Sequence, residues 1–306
     1  MERFPTEIMA QIASYLSKPD LSRFGTCSSK CAAIAQPRLY QTITLLDKND
    51  TSDHCSRFLQ NVASRPHLPS MIRVLSIVGY QNWPESSLCK LLRYCDHIEE
   101  LLMGLSVTGA DCGRYFTDPE VFSSTPVGRL RRFHCPHHTA IPNLIKWVTK
   151  IPTLTDVRLP EPPNFNITHH LKGAVVPPTW LGNLERFWGP PELLGSLTSG
   201  CKLLHFSTNL EMSLLQLQQL STVCGYQLQT LYYLYGNAKY AWETSQSQKL
   251  PVALLPQLFP NLRSVAWILV NPLDRDEVRT ALETLPISSD RHVDVLTQRP
   301  RLAAGT

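Results

Sequence analysis

Long apolar runs are missing from this chain of 306 residues. No stretch approaches the roughly 18 apolar residues that a bilayer-spanning helix needs, so no membrane partner is expected. The opening Met1-Glu2-Arg3-Phe4-Pro5 has neither an apolar h-region nor a small-residue cleavage site, and no secretory leader is expected from it. Charge of one sign is also scarce. The net charge is +4, and the densest basic cluster is Arg129, Arg131 and Arg132. Nucleic-acid binders need a longer basic patch, so no nucleic acid is expected as a partner. Glycine numbers 14, and no Gly-x-x-x-x-Gly-Lys phosphate loop or Gly-x-Ser-x-Gly elbow occurs. The nine cysteines are odd in number and irregularly spaced, which argues against a disulfide framework and for reduced, buried thiols in the cytoplasm or nucleus.

What is present is ample core material, 43 % hydrophobic against 18 % charged residues, a globular balance. The first 46 residues read as three to four short helices. Pro5 suits a first helical turn, and Glu7 suits the positive end of its dipole. Ile8, Ile12, Tyr15 and Leu16 fall on one stripe, widened by Met9 and Ala13. Lys18-Pro19 is expected to stop this helix and Asp20 to cap a second, with Leu21, Phe24 and Cys27 three residues apart. Ser28 or Ser29 can cap a third carrying Cys31, Ala32, Ile34 and Ala35, and Pro37 is read as opening a last short turn with Leu39 and Tyr40. About forty residues bury too little surface to be stable unaided, and no metal or disulfide pattern helps, so a partner is expected to cover the surplus apolar faces.

These residues resemble an F-box. The resemblance lies in Phe4-Pro5-x-Glu7-Ile8-x-x-x-Ile12-x-x-x-Leu16, then Asp20-Leu21-x-x-Phe24-x-x-Cys27-Ser28, then Leu39-Tyr40. The exit Pro37-Arg38-Leu39-Tyr40-Gln41-Thr42-Ile43-Thr44-Leu45 is similar to fungal members. Phe4 stands where leucine is usual and Cys31 where the family commonly has tryptophan. The resemblance covers about one seventh of the chain. It implies docking on the Skp adaptor of an SCF-type ubiquitin ligase, and through it on cullin and RING subunits. Pro5, Ile8, Ile12, Leu16, Leu21, Phe24, Leu39 and Tyr40 match the family's apolar positions and are the implied adaptor-binding set.

After a connector at 47–70, residues 71–306 repeat one phrase: apolar, two variable, apolar, one variable, often apolar. It starts at Ile72, Ile98, Leu130, Leu154, Leu184, Leu203, Leu228 and Leu262, with a mean spacing near 27 residues. That period lies within the leucine-rich-repeat range of roughly 20–29. Helix-like stretches intervene at 87–94, 141–150, 191–197, 213–223, 252–259 and 274–285, and the phrases Pro142-Asn143-Leu144, Gly182-Asn183-Leu184 and Pro260-Asn261-Leu262 read as turns at repeat boundaries. The expected fold is therefore α/β: a small N-terminal helical module followed by an irregular leucine-rich-repeat-like solenoid, a curved parallel sheet with outer helices.

Sites for chemistry are few. His134-Cys135-Pro136-His137-His138 offers zinc-type ligands but no second pair, and Cys89, Cys95 and His97 have the same shortcoming, so no metal and no cofactor are expected. A Cys/His nucleophile assembled in space stays open as an alternative, although no local signature surrounds any cysteine. Tyr232, Tyr233, Tyr235, Tyr240 and Trp242 bracket a polar insertion at 236–249 and either fill a strand's core side or form part of a binding face. The functional expectation is a substrate receptor with no catalytic residues, docked on the Skp adaptor and holding an unknown protein cargo on its repeats. The alternative is an interaction scaffold outside any ligase.

Overall fold

A computed structural model describes residues 4–46, 52–78, 85–104, 128–135, 141–148, 150–159, 182–191, 193, 201–208, 212–235, 254–269 and 292–297. They fall in two compact units, 1–134 and 135–306.

The first unit opens with three helices, α1 (Thr6–Tyr15), α2 (Lys18–Thr26) and α3 (Ser29–Gln41). Strand β1 (Thr42–Leu46), helix α4 (Ser52–Ser64), a 3-10 turn (Pro69–Met71) and strand β2 (Val74–Val78) follow. Helix α5 (Glu85–Tyr94) and strands β3 (Glu100–Gly104) and β4 (Arg132–His134) complete it. β1 to β4 lie side by side in chain order and every pair is parallel. The second unit holds β5 (Asp156–Arg158), β6 (Arg186–Trp188), β7 (His205–Ser207), β8 (Thr230–Tyr235), β9 (Ser264–Leu269) and β10 (His292–Thr297). They too are parallel and in chain order. Its helices are α6 (Ile141–Val148), α7 (Leu214–Cys224) and the single turn α8 (Leu255–Leu258). N-terminal helices followed by parallel strands with intervening helices make an α/β fold of the leucine-rich-repeat-like kind.

The repeated phrase explains why. Its first apolar residue is buried in all eight copies, from Ile72 to Leu262, and so is the second, from Leu75 to Val265. The second residues are register partners: Ile43, Leu75, Leu101 and Phe133 form one row. Val157, Phe187, Phe206, Leu231, Val265 and Val293 form the corresponding row of the second unit. From Leu75 to Val265 these row residues are buried, and so are Leu91 and Leu92 of α5 in the first unit and Leu144, Ile145 and Val148 of α6 and Leu217 and Leu220 of α7 in the second. The rings of Phe187 and Phe206 pack 5.9 Å apart. Between the buried residues sit polar ones, and charges of opposite sign meet across neighbouring strands: Arg132 with Glu100 at 2.9 Å, Arg186 with Asp156 at 3.9 Å. Such cross-strand pairs favour one register over its neighbours.

At six strand entrances a carbonyl takes two N–H groups from the next repeat. Arg73 O accepts from Glu99 N and Glu100 N, Leu204 O from Gln229 N and Thr230 N, and Gln229 O from Arg263 N and Ser264 N. The boundary asparagines add a side-chain bond of the same pattern. Asn183 Nδ2 donates to Pro152 O at 3.1 Å and Asn261 Nδ2 to Tyr226 O at 2.6 Å. In both, the residue just before a phrase reaches the carbonyl two residues before the preceding phrase.

Some elements differ from the sequence expectation. Pro142-Asn143-Leu144 is no boundary turn but the start of α6, where proline's missing N–H costs nothing. The stretch 47–70 contains α4, whose Val62 is buried. β10 escaped notice because Asp290 stands where the phrase opens with an apolar residue, leaving only the Val293/Val295 alternation. The helix expected at 274–285, the insertion at 236–249 and most of 191–197 lie outside the described residues.

Candidate docking surface

The module's local structure follows from its caps. Pro5 is the N-cap of α1 rather than a residue of its first turn, and Met9 N donates to Pro5 O at 3.2 Å. The cap of α2 is Ser17, not Asp20. Ser17 Oγ accepts from Asp20 N at 3.4 Å and donates to Asp20 Oδ2 at 2.6 Å. Pro19 falls within the first turn, which tolerates it, so Lys18-Pro19 begins α2 as well as ending α1. Ser28 caps α3, accepting from Cys31 N at 3.1 Å. α3 then runs unbroken through Pro37 to Gln41, where a separate short turn was expected. Pro37 is exposed near the helix end and forfeits one backbone bond without meeting packed neighbours.

Packing divides the helix faces. Ala13, Leu21 and Ala35 form the module's core, with Leu16, Phe24, Ile34 and Leu39 packed against it. Small side chains let α2 and α3 approach closely; a Cβ added at Gly25 would lie 3.3 Å from Ala35 Cβ. Cys31 is fully buried, so the module closes over this smaller side chain where the resembled family commonly has tryptophan. Two lysines tie the ends: Lys18 Nζ donates to Thr42 O and Lys30 Nζ to Phe4 O, both at 3.0 Å.

The consequence for α1 is decisive. Met9 and Ala13, 3 % and 1 % exposed, face inward. Phe4, Ile8, Ile12 and Tyr15 remain 55 %, 43 %, 47 % and 82 % exposed. Ile8, Ile12 and Tyr15, four and three residues apart, lie in one row along α1, and Phe4 stands just before its N-cap. The stripe read from sequence is therefore split. Ile8, Ile12 and Tyr15 form the outward side, and Leu16 turns to the core with Met9 and Ala13.

The eight implied adaptor-binding residues sort by burial. Pro5, Ile8 and Ile12 are exposed; Leu16, Phe24, Leu39 and Tyr40 are half-buried; Leu21 is buried within the module. Tyr15, outside that set, extends the exposed row, and Phe4, also outside it, is exposed just before the helix. The signal for Tyr15 was its place in the apolar stripe, and for Phe4 its position four residues before Ile8.

The module joins the repeats without a linker. Gln41 ends α3 and Thr42 begins β1. Gln41 O accepts from Arg73 N at 2.9 Å, which puts Tyr40-Gln41-Thr42-Ile43-Thr44-Leu45 in register with the phrase at Ile72. Tyr40 thus stands where later repeats carry their first buried residue.

Other candidate chemistry is thin among the described residues. No group of three His, Cys, Asp or Glu side chains there could hold a metal. His137 and His138 lie outside them, as do Tyr240 and Trp242. Cys27, Cys31, Cys95, Cys135, Cys201 and Cys224 are free thiols. Burial raises the Cys95 thiol to about 12, with Asp96 adding to the shift, and pushes Cys224 up further. Both thiols stay protonated and poorly nucleophilic near neutrality. Tyr232 lies half-buried on the sheet with its ring 5.9 Å from that of Trp188, over which Arg158 stacks at 3.6 Å. No described helix is long and apolar enough to cross a membrane. Comparison with protein-family models and with curated proteins returns no match for this chain.

Proposed function

We propose that this chain is a substrate receptor of an SCF-type ubiquitin ligase of the cytoplasm or nucleus. Its N-terminal module docks as an F-box on the Skp adaptor, and its repeats hold a protein cargo. The observation that carries the reading is the outward apolar row of α1, Ile8, Ile12 and Tyr15, with the exposed Phe4 just before the helix, on a module that resembles an F-box. A helix presenting apolar residues at i, i+4 and i+7 to solvent suits a partner's hydrophobic groove. Pro5 and the half-buried Leu39 and Tyr40 extend the contact set.

The chain supplies no bond-making group in this reading. It raises the effective concentration of cargo near a ubiquitin-charged enzyme held by the cullin and RING subunits. Direct continuity of α3 with β1 suits that task, because a stiff junction preserves the spacing between adaptor and array.

Capture on immobilised Skp adaptor tests the proposal. The wild-type chain is retained, and Ile8→Asp with Ile12→Asp reduces retention by at least about tenfold, the loss of two central apolar contacts. Both positions are exposed, so thermal melting is expected to stay within about 2 °C of wild type. Leu16→Asp is unsuitable as a test because Leu16 packs against the module core. Equal retention of wild type and double variant rejects adaptor docking and leaves an interaction scaffold. Retention without cullin or RING in the assembly favours that same scaffold.

A further inference from the structure

An open cleft of about 550 Å³ lies in the second unit, where the chain enters β6, β7, β8 and β9. Its walls come from equivalent places in successive repeats. Lys202, Gln227 and Asn261 each precede the first apolar residue of a phrase, and Gln229 and Arg263 follow it. Glu185, at the matching position of β6, closes one end. Four strands about 4.8 Å apart span roughly 14 Å, the length of about four extended residues.

Several backbone groups of the cleft are already hydrogen-bonded. Gln229 O accepts from Arg263 N and Ser264 N, and Asn261 Nδ2 is bound to Tyr226 O. Recognition therefore falls to the side chains. Lys202 and Arg263 are both exposed, and neither enters an ion pair among the described residues. Glu185 is the single carboxylate in the wall, leaving the cleft one positive charge in excess. Tyr226, 82 % exposed, stands on the same wall as a flat apolar surface. Unpaired cations beside an exposed tyrosine match the anchors that interfaces favour, and the excess charge selects an acidic partner.

We infer that this cleft binds an extended acidic peptide segment of a partner protein, with carboxylates held by Lys202 and Arg263 and an apolar side chain laid on Tyr226. The site is independent of α1 and would exist whether or not the chain joins a ligase.

The test uses the full chain and a fluorescein-labelled glutamate-rich peptide of about ten residues, followed by anisotropy at low and moderate salt. Lys202→Glu with Arg263→Glu weakens binding by at least about tenfold, and Glu185→Gln tightens it by about threefold through removal of the opposing charge. Tightening cannot result from misfolding, which keeps the test decisive if the double variant is unstable. The counterpart peptide with glutamine for glutamate should bind at least about tenfold more weakly. Equal binding of the two peptides, or no change in either variant, overturns the inference. Tighter binding of a phosphoserine peptide lacking glutamate also overturns it, in favour of phosphate recognition.

Discussion

At the scale of single residues, the chain tolerates charge where side chains face water and resists even one methyl group where backbones meet. Gly225 shows the second case. A Cβ there would lie 2.5 Å from Ser221 O and 2.7 Å from Leu258 O. Its φ of −53° is ordinary, so the requirement is for space and not for a special backbone conformation. Carbonyl oxygens held in place by neighbouring structure cannot rotate away as a flexible side chain would. Gly225→Ala is expected to destabilise the second unit by about 1–3 kcal/mol, the usual cost of overpacking. Urea titration checks it, and an unchanged midpoint contradicts the close approach of α7 to α8. The pattern at Gly25 is milder: its near neighbour is a side-chain methyl at 3.3 Å, which can shift by a few tenths of an ångström.

At the scale of elements, each repeat is a strand with an apolar row beneath it and an anchoring bond to the repeat before. The asparagine bonds are a side-chain supplement to the paired backbone bonds at those strand entrances. Asn183→Ala and Asn261→Ala should each cost about 1 kcal/mol, a typical net value for one hydrogen bond. The sites lie in different repeats, so in the double variant the losses should add. Thermal or chemical denaturation of the two singles and the double measures this; effects within error of zero would show the amides to be exchanging freely with water.

The same scale explains what the amino-acid sequence revealed and what it hid. The eight phrases from Ile72 to Leu262 were legible because burial on one face imposes apolar residues at fixed offsets whatever the loop lengths between them. The strand β10 was hidden because one substitution in its phrase, Asp290, removes the opening residue. α4 was hidden because Ser52–Ser64 is a run with few aliphatics. Pro37 misled because proline is a breaker by propensity, whereas an exposed position near a helix end lets the fold absorb it. The candidate site was legible in part. The stripe of α1 could be read from spacing, but which residues of it face outward depends on how α2 and α3 pack, and spacing does not determine that. Ile8 and Leu16 look equivalent in the sequence; only the folded module separates them.

At the scale of the whole molecule, an N-terminal module with an uncovered apolar row leads into parallel repeats. The central claim is that the row on α1 is the place where a Skp adaptor sits. Hydrogen exchange of the full chain, with and without saturating adaptor, tests that claim most directly. Docking side chains into a groove slows local opening of the helix that carries them. Docking through α1 should slow exchange in Thr6–Tyr15 and near Leu39 and Tyr40, with the repeats of residues 135–306 unchanged. Adaptor binding that leaves α1 exchange unaltered, or protects only the repeats, would contradict it.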